Sequence, residues 1–200
     1  MFNSSRSALL RLCLCLAAAS FAAGCAAPGG TANPKDPLES LNRGIYSFNG
    51  TANTETVQFA SGLTLQGYGT IGDWSSAQAV SNAGLIDANA SGQTFTVNPG
   101  TFTNSGTVKA SSGTLTLSAA NWSNSGTLST TTGGTLNLGS NFTYSDISGH
   151  MSRSGGSVNV TGILDLGANT LDVGSAGAFG TGGLTALNGS AAALKNGTLI

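Results

Sequence analysis

Charge is what this chain of 200 residues most lacks. Lysine and arginine number 7, aspartate and glutamate 8, and there is one histidine. Charged residues make up 8% of the chain, against roughly 25% in an ordinary soluble domain. A nucleic-acid binder needs a stripe of Lys and Arg to neutralise phosphates, and no such stripe exists here. A highly charged disordered chain is excluded by the same scarcity and by an apolar content of 40%. Long apolar runs are missing too. Ala8 to Ala23, broken by Arg11 and Ser20, is shorter than the about 20 residues a membrane helix needs. What is abundant is small and uncharged: 30 Gly, 26 Ser, 24 Thr and 17 Asn. These are poor helix formers, so a helical bundle is excluded. An all-β chain or a low-complexity linker remains, and periodicity has to separate them.

The first 24 residues read as an address. Arg6 and Arg11 flank the start of a short apolar run that ends Ala22-Ala23-Gly24-Cys25. The length fits a signal-peptide core. Small residues directly before a cysteine resemble a bacterial lipobox. That resemblance implies diacylglyceryl transfer to Cys25, cleavage before it and acylation of the new amino terminus, which gives a stable anchor because several chains act together. An ordinary signal peptide with an incidental cysteine is the alternative. Cys13 and Cys15 lie in the leader, so the mature chain is expected to hold one acylated cysteine and no disulfide. Ala26 at the following position, by resemblance to proteobacterial lipoproteins, implies the outer membrane of a Gram-negative bacterium. Ala26 to Asn33 reads as a tether.

Residues 33–49 read NPKDPLESLNRGIYSFN. Asp36 precedes Pro37 as an N-cap precedes the first helical position, and Glu39 falls in the first turn. Leu38, Leu41, Ile45 and Phe48 recur at spacings of 3, 4 and 3, which places them on one face of a short amphipathic helix. Asp36, Pro37, Leu38, Glu39, Asn42, Arg43, Phe48 and Asn49, with Ile45 and Tyr46 between them, resemble the opening of the MlaA/VacJ family of outer-membrane lipoproteins. That resemblance implies retrograde phospholipid transport and outer-membrane lipid asymmetry. It ends at Asn49, and the long helical body that performs transport in that family has no counterpart in residues 50–200. The domain expectation is therefore a leader over 1–24, a lipidated tether and short helix over 25–55, and a different body over 56–200.

That body repeats. Asn82-Ala83-Gly84, Asn104-Ser105-Gly106 and Asn124-Ser125-Gly126 are 22 and 20 residues apart. Pairs of apolar residues alternate with polar ones: Phe95/Val97, Leu115/Leu117, Leu136/Leu138 and Val158/Val160. Phe102, Trp122 and Phe142 keep a period of 20. Alternation at period two means strands with one buried face. A period near 20 without helices means short strands coiled into a parallel β-helix, equivalent strands stacking about 4.8 Å apart. About five coils fit between Phe59 and Val173. Two readings of Asn82, Asn104 and Asn124 stand: a hydrogen-bonded amide ladder at one corner, or solvent-exposed turn residues. Gly and Asn at the corners suit a left-handed backbone. Asp146 to Arg153, with His150 and Met151, reads as an insertion loop. Leu164/Leu166 and Leu171/Val173 read as successive faces of one turn, and Asn196 to Ile200 as the start of a further repeat left truncated. The segment resembles the β-helical passenger repeats of autotransporters and filamentous-haemagglutinin-like adhesins, although the abrupt change near Gly50 also fits a chimera or fragment.

No catalytic constellation is visible. Lys109 is the one charged residue between Ala88 and Ser145. His150, the sole histidine, stands in a Ser/Gly stretch. His/Cys metal sites lack ligands, and Asp165 with Asp172 is the one pair to weigh for a hard cation. Asp73, Asp87 and Asp146 fall at irregular distances, unlike the clustered carboxylates of carbohydrate-active β-helix enzymes. The expectation is a non-enzymatic, lipid-anchored surface or outer-membrane rod without cofactor or metal. Its partners are the membrane, through the anchor, and glycans or proteins of a host or neighbouring cell. Phospholipid transport and a carbohydrate-active enzyme are the alternatives.

Overall fold

The structure is a computed structural model that describes residues 56–72 and 79–200. The leader, Cys25 and the amphipathic segment from Asp36 to Asn49 lie outside the described residues, as does Asp73.

The described residues form a parallel β-solenoid of about five coils. The first three coils are β1 (Thr56–Phe59), β2 (Thr64–Gln66) and β3 (Gly69–Gly72); β4 (Ala79–Asn82), β5 (Leu85–Ala88) and β6 (Thr94–Asn98); and β7 (Thr101–Asn104), β8 (Thr107–Ala110) and β9 (Thr114–Leu117). The fourth is β10 (Asn121–Asn124), β11 (Thr127–Thr130) and β12 (Thr135–Leu138). In the fifth, β13 (Asn141–Thr143) runs into a single helical turn, α1 (Tyr144–Ile147), before β14 (Met151–Arg153) and β15 (Ser157–Val160). Then come β16 (Ile163–Asp165), β17 (Thr170–Leu171), β18 (Ala186–Leu187), β19 (Ala193–Lys195) and β20 (Thr198–Leu199).

Three parallel sheets result from this order. The first stacks β1, β4, β7, β10, β13, β16 and β19; the second β2, β5, β8, β11 and β14; the third β3, β6, β9, β12, β15 and β18. Strands of about four residues suffice because every strand inside a sheet is paired on both sides by the coils before and after it. Register is fixed by the sequence period: Thr101 faces Asn121, and Asn121 faces Asn141.

Alternation puts every second side chain inside. In β7 and β10 the outward residues are exposed and the inward ones buried. The interior stacks Ile86, Val108 and Leu128 on the second sheet, and Leu115, Leu117, Leu136, Leu138, Val158 and Val160 on the third, all at 0% exposure. Burial of such columns, at about 25 cal/mol per Å² of apolar surface, is what holds a chain with so few ionic contacts. On the first sheet Phe102 pairs with Trp122 in register. Trp122 stacks on Phe142 with centroids 4.9 Å apart and planes at 24°, and its indole N–H donates to Gly139 O at 2.9 Å.

Two expectations need correction. Asp146 to Arg153 is not an insertion loop. Its first residues belong to α1, where Asp146 and Ile147 are buried, and Met151–Arg153 pair with Leu128–Thr130; Ser148, Gly149 and His150 are the connection that is left. The Asn-x-Gly glycines are not there for a left-handed backbone either. Gly84, Gly106 and Gly126 are absent from the positive-φ positions. A Cβ on Gly106 would fall on the carbonyl oxygen of Gly84, and one on Gly126 on that of Gly106. Stacked turns approach too closely for any side chain. Glycines that do use the left-handed region, such as Gly62 and Gly92, lie at other turns.

Beyond β16 the coil lengthens, so that Ile163 faces Ala193. The glycine-rich stretch in this interval folds over Phe179, which is fully buried. Arg153 ties it down. Its guanidinium donates to the carbonyl oxygens of Gly183, Gly155 and Gly156, the last at 2.6 Å, and to Thr185 Oγ1. Partial burial pulls the Arg153 pKa below the usual arginine value.

Candidate functional site

Asn82, Asn104 and Asn124 end successive strands of the first sheet and are all buried. Asn82 Nδ2 donates to Asn104 Oδ1 at 2.7 Å, and Asn104 Nδ2 donates to Asn124 Oδ1 at 2.7 Å. Each Oδ1 of Asn82 and Asn124 also accepts the backbone N–H of the glycine two residues on. The ladder is therefore tied to the turns beside it.

At the fifth coil the ladder changes chemistry. Asn124 Nδ2 donates to Asp146 O at 2.8 Å, and Asn124 N to Asp146 Oδ1 at 3.0 Å. The other carboxylate oxygen accepts from Thr143 N at 2.8 Å and Thr143 Oγ1 at 2.7 Å. The last amide of the ladder thus bonds the main chain of Asp146, and no side-chain amide follows it. An aspartate ends it and needs donors, and α1 turns the chain so that Thr143 provides them.

The helical turn breaks the outline of the coil. β14 is the last strand of the second sheet, and β17 pairs with β20 in a separate two-stranded sheet. Between these interrupted stacks lies an open cleft of about 690 Å³, with Tyr144, Ser148, His150, Asp165, Leu166 and Asn169 among its lining residues. His150 Nδ1 lies 2.8 Å from Gly126 O. A carbonyl only accepts, so Nδ1 carries the hydrogen and Nε2 is the acceptor of the neutral ring. Asp165 Oδ1 accepts from Gly167 N at 3.0 Å and from Asn196 Nδ2 at 3.1 Å, and Lys195 Nζ is 3.7 Å from Oδ2. The Gly167 N–H, with the Asn196 amide and Lys195 behind it, outweighs desolvation and holds the Asp165 carboxyl below the ordinary carboxylate range.

The remaining candidates separate. Asp165 is committed to Gly167, Asn196 and Lys195, while Asp172 Oδ1 accepts from Gly174 N at 2.7 Å, so each carboxylate closes its own turn. Among the described residues no three His, Cys, Asp or Glu side chains gather to hold a metal ion. Asp87 lies 3.9 Å from Lys109 and accepts from Ser111 Oγ at 2.8 Å. Among the described residues no helix is long and apolar enough to cross a membrane.

The cleft is not legible in the sequence. His150 and Asp165 belong to different coils, and nothing in their spacing marks them as neighbours. The interruption of the Asn-x-Gly series after Asn124 is the one available signal. Comparison with protein-family models, curated proteins and solved structures gives no match.

Proposed function

We propose that the chain is a non-enzymatic surface rod, anchored to the outer membrane through acylated Cys25 and presenting its β-solenoid to glycans or proteins outside the cell. The column of stacked coils supports this reading best. A column sealed inside by Leu, Val, Ile and aromatics, with every buried side-chain polar atom among the described residues hydrogen-bonded, is a rigid spacer. Its outer faces carry Thr101, Thr103, Asn121, Ser123 and Asn141, all exposed, and so offer neutral hydroxyls and amides.

Metabolic labelling with a palmitate analogue tests the anchor. Label should enter the wild-type chain and not Cys25→Ser, and external protease should remove the solenoid from intact cells. An unlabelled wild-type chain would sink the anchor. Adhesion of labelled cells no better than that of a scrambled control would sink the adhesive role.

Phospholipid transport in the manner of the MlaA/VacJ family rests on the segment from Asp36 to Asn49 alone. Restoration of outer-membrane lipid asymmetry in a transporter-deficient strain is its test.

A further inference from the structure

We propose that the cleft beside α1 is a binding site for a neutral saccharide of one or two rings. The inference rests on the glycan-binding part of the surface-rod reading and gives it a location. A sugar ring presents hydroxyl donors around its edge and apolar C–H faces above and below. A site for it needs several oriented acceptors, an aromatic surface and no net charge.

The cleft supplies each. Tyr144 brings aromatic surface to the wall, and aromatic faces favour flat apolar ligand faces with partial positive edges. Three acceptors are fixed before any ligand arrives. In the neutral ring His150 Nε2 is the acceptor, because Nδ1 donates to Gly126 O. Asp165 is held by Gly167 N and Asn196 Nδ2, which fill Oδ1, while Oδ2 takes one bond from Asn196 Nδ2 and keeps a second lone pair to accept. Asn169 donates Nδ2 to Leu166 O at 2.6 Å, which leaves its Oδ1 to accept. Ser148 contributes a hydroxyl able to give or take. Side chains already restrained lose little further freedom on binding.

Charge selects against ions. Lys195, 3.7 Å from Asp165, balances its carboxylate, so neither an anion nor a cation is drawn in. A volume of about 690 Å³ falls within the range of small-ligand sites, about 300–1,000 Å³. Openness to solvent along the side of the rod suits the end or branch of a longer glycan.

The test uses the full chain in a detergent without a sugar headgroup. Saturation-transfer NMR is run against glucose, galactose, mannose, N-acetylglucosamine and their disaccharides. At least one should bind saturably. Asp165→Asn and Tyr144→Ala should weaken it about tenfold, the scale of one lost charged acceptor or aromatic contact. Ser148→Trp should abolish it by filling the cleft, and Thr103→Ala, on the outer face of β7, should leave it unchanged. Circular dichroism of each variant checks the fold, and Asp165→Asn, a half-buried and nearly isosteric change, keeps the test valid if Tyr144→Ala unfolds. Saturable binding by no panel member, or binding that survives Ser148→Trp and Asp165→Asn, would overturn the proposal. Palmitate labelling with no sugar binding refutes the cleft site alone; sugar binding by an unlabelled chain refutes the anchor alone.

Discussion

Asn104 stands between two copies of itself, accepting from Asn82 Nδ2 and donating to Asn124 Oδ1, both at 2.7 Å. In a buried corner this arrangement satisfies amide groups that water cannot reach, and it fixes which coil stacks on which. Asn104→Ala removes the middle rung and leaves Asn124 Oδ1 one donor short. Unfolding in urea should show a loss of about 1–3 kcal/mol, the cost of buried polar groups deprived of partners. Asn121→Ala, on the exposed face of the same sheet, should fall within about 0.5 kcal/mol of wild type. Equal losses for the two variants would mean that the ladder adds nothing beyond the turn it decorates.

Glycine acts in two opposite ways in this chain, and alanine separates them. Gly106 has ordinary φ but no room, because a Cβ would strike Gly84 O. Gly92 has room but a φ of 72°, with nothing within 4 Å of its would-be Cβ. Gly92→Ala should cost about 1–2 kcal/mol, the ordinary left-handed penalty. Gly106→Ala should cost more, about 3 kcal/mol or above, since two backbones would have to separate. Thermal melts that rank Gly92→Ala as the more damaging would contradict the close-approach argument.

These two residue classes show why some of the fold was legible in the sequence and some was not. The 20-to-22-residue period identified the coils because Phe102, Trp122 and Phe142 must return to one inward column, and so must Leu115 and Leu136. Period carries no information about what happens where it fails. Asp146 receives the last amide of the ladder on its main-chain oxygen but sits inside a helical turn, and the partner of its carboxylate, Thr143, precedes it by three residues. The anchoring of the glycine-rich stretch by Arg153 depends on Gly183, thirty residues away. The cleft is likewise built at a break in the pattern, from residues whose nearness arises only in the coiled chain.

Protonation should reveal which way Asp165 is held. Its pKa is depressed, so the bonds to Gly167 N and Asn196 Nδ2 support the native corner above the ordinary carboxylate pKa of about 3.9. That support fades as pH falls through the lower native value. An NMR titration of the Asp165 carboxyl carbon should give a midpoint below that of an unstructured peptide. The Gly167 amide resonance should move with the same midpoint. Asp165→Asn should remove this movement. A midpoint at or above the peptide value would show that the Gly167 contact does not persist in solution.

Asp146 ends the amide ladder with a carboxylate that accepts from Asn124 N, Thr143 N and Thr143 Oγ1. Every one of these partners is a donor, so the site requires an acceptor on both oxygens. Asp146→Asn keeps the shape but turns one oxygen into an NH2 group, which places a donor against donors. Asp146→Ala leaves all three without a partner. Hydrogen bonds to a charged group contribute about 1.5–3 kcal/mol each when partners are lost. Both variants should therefore destabilise more than Asn104→Ala, where the neighbouring amides keep other contacts. The damage should also be local. Hydrogen exchange should quicken at Thr143 and Asn124 and through α1, while the amides of β6 and β9 stay protected. An Asp146→Asn protein as stable as wild type would mean that Thr143 and Asn124 turn to other acceptors, and that the carboxylate is not what shapes the helical turn.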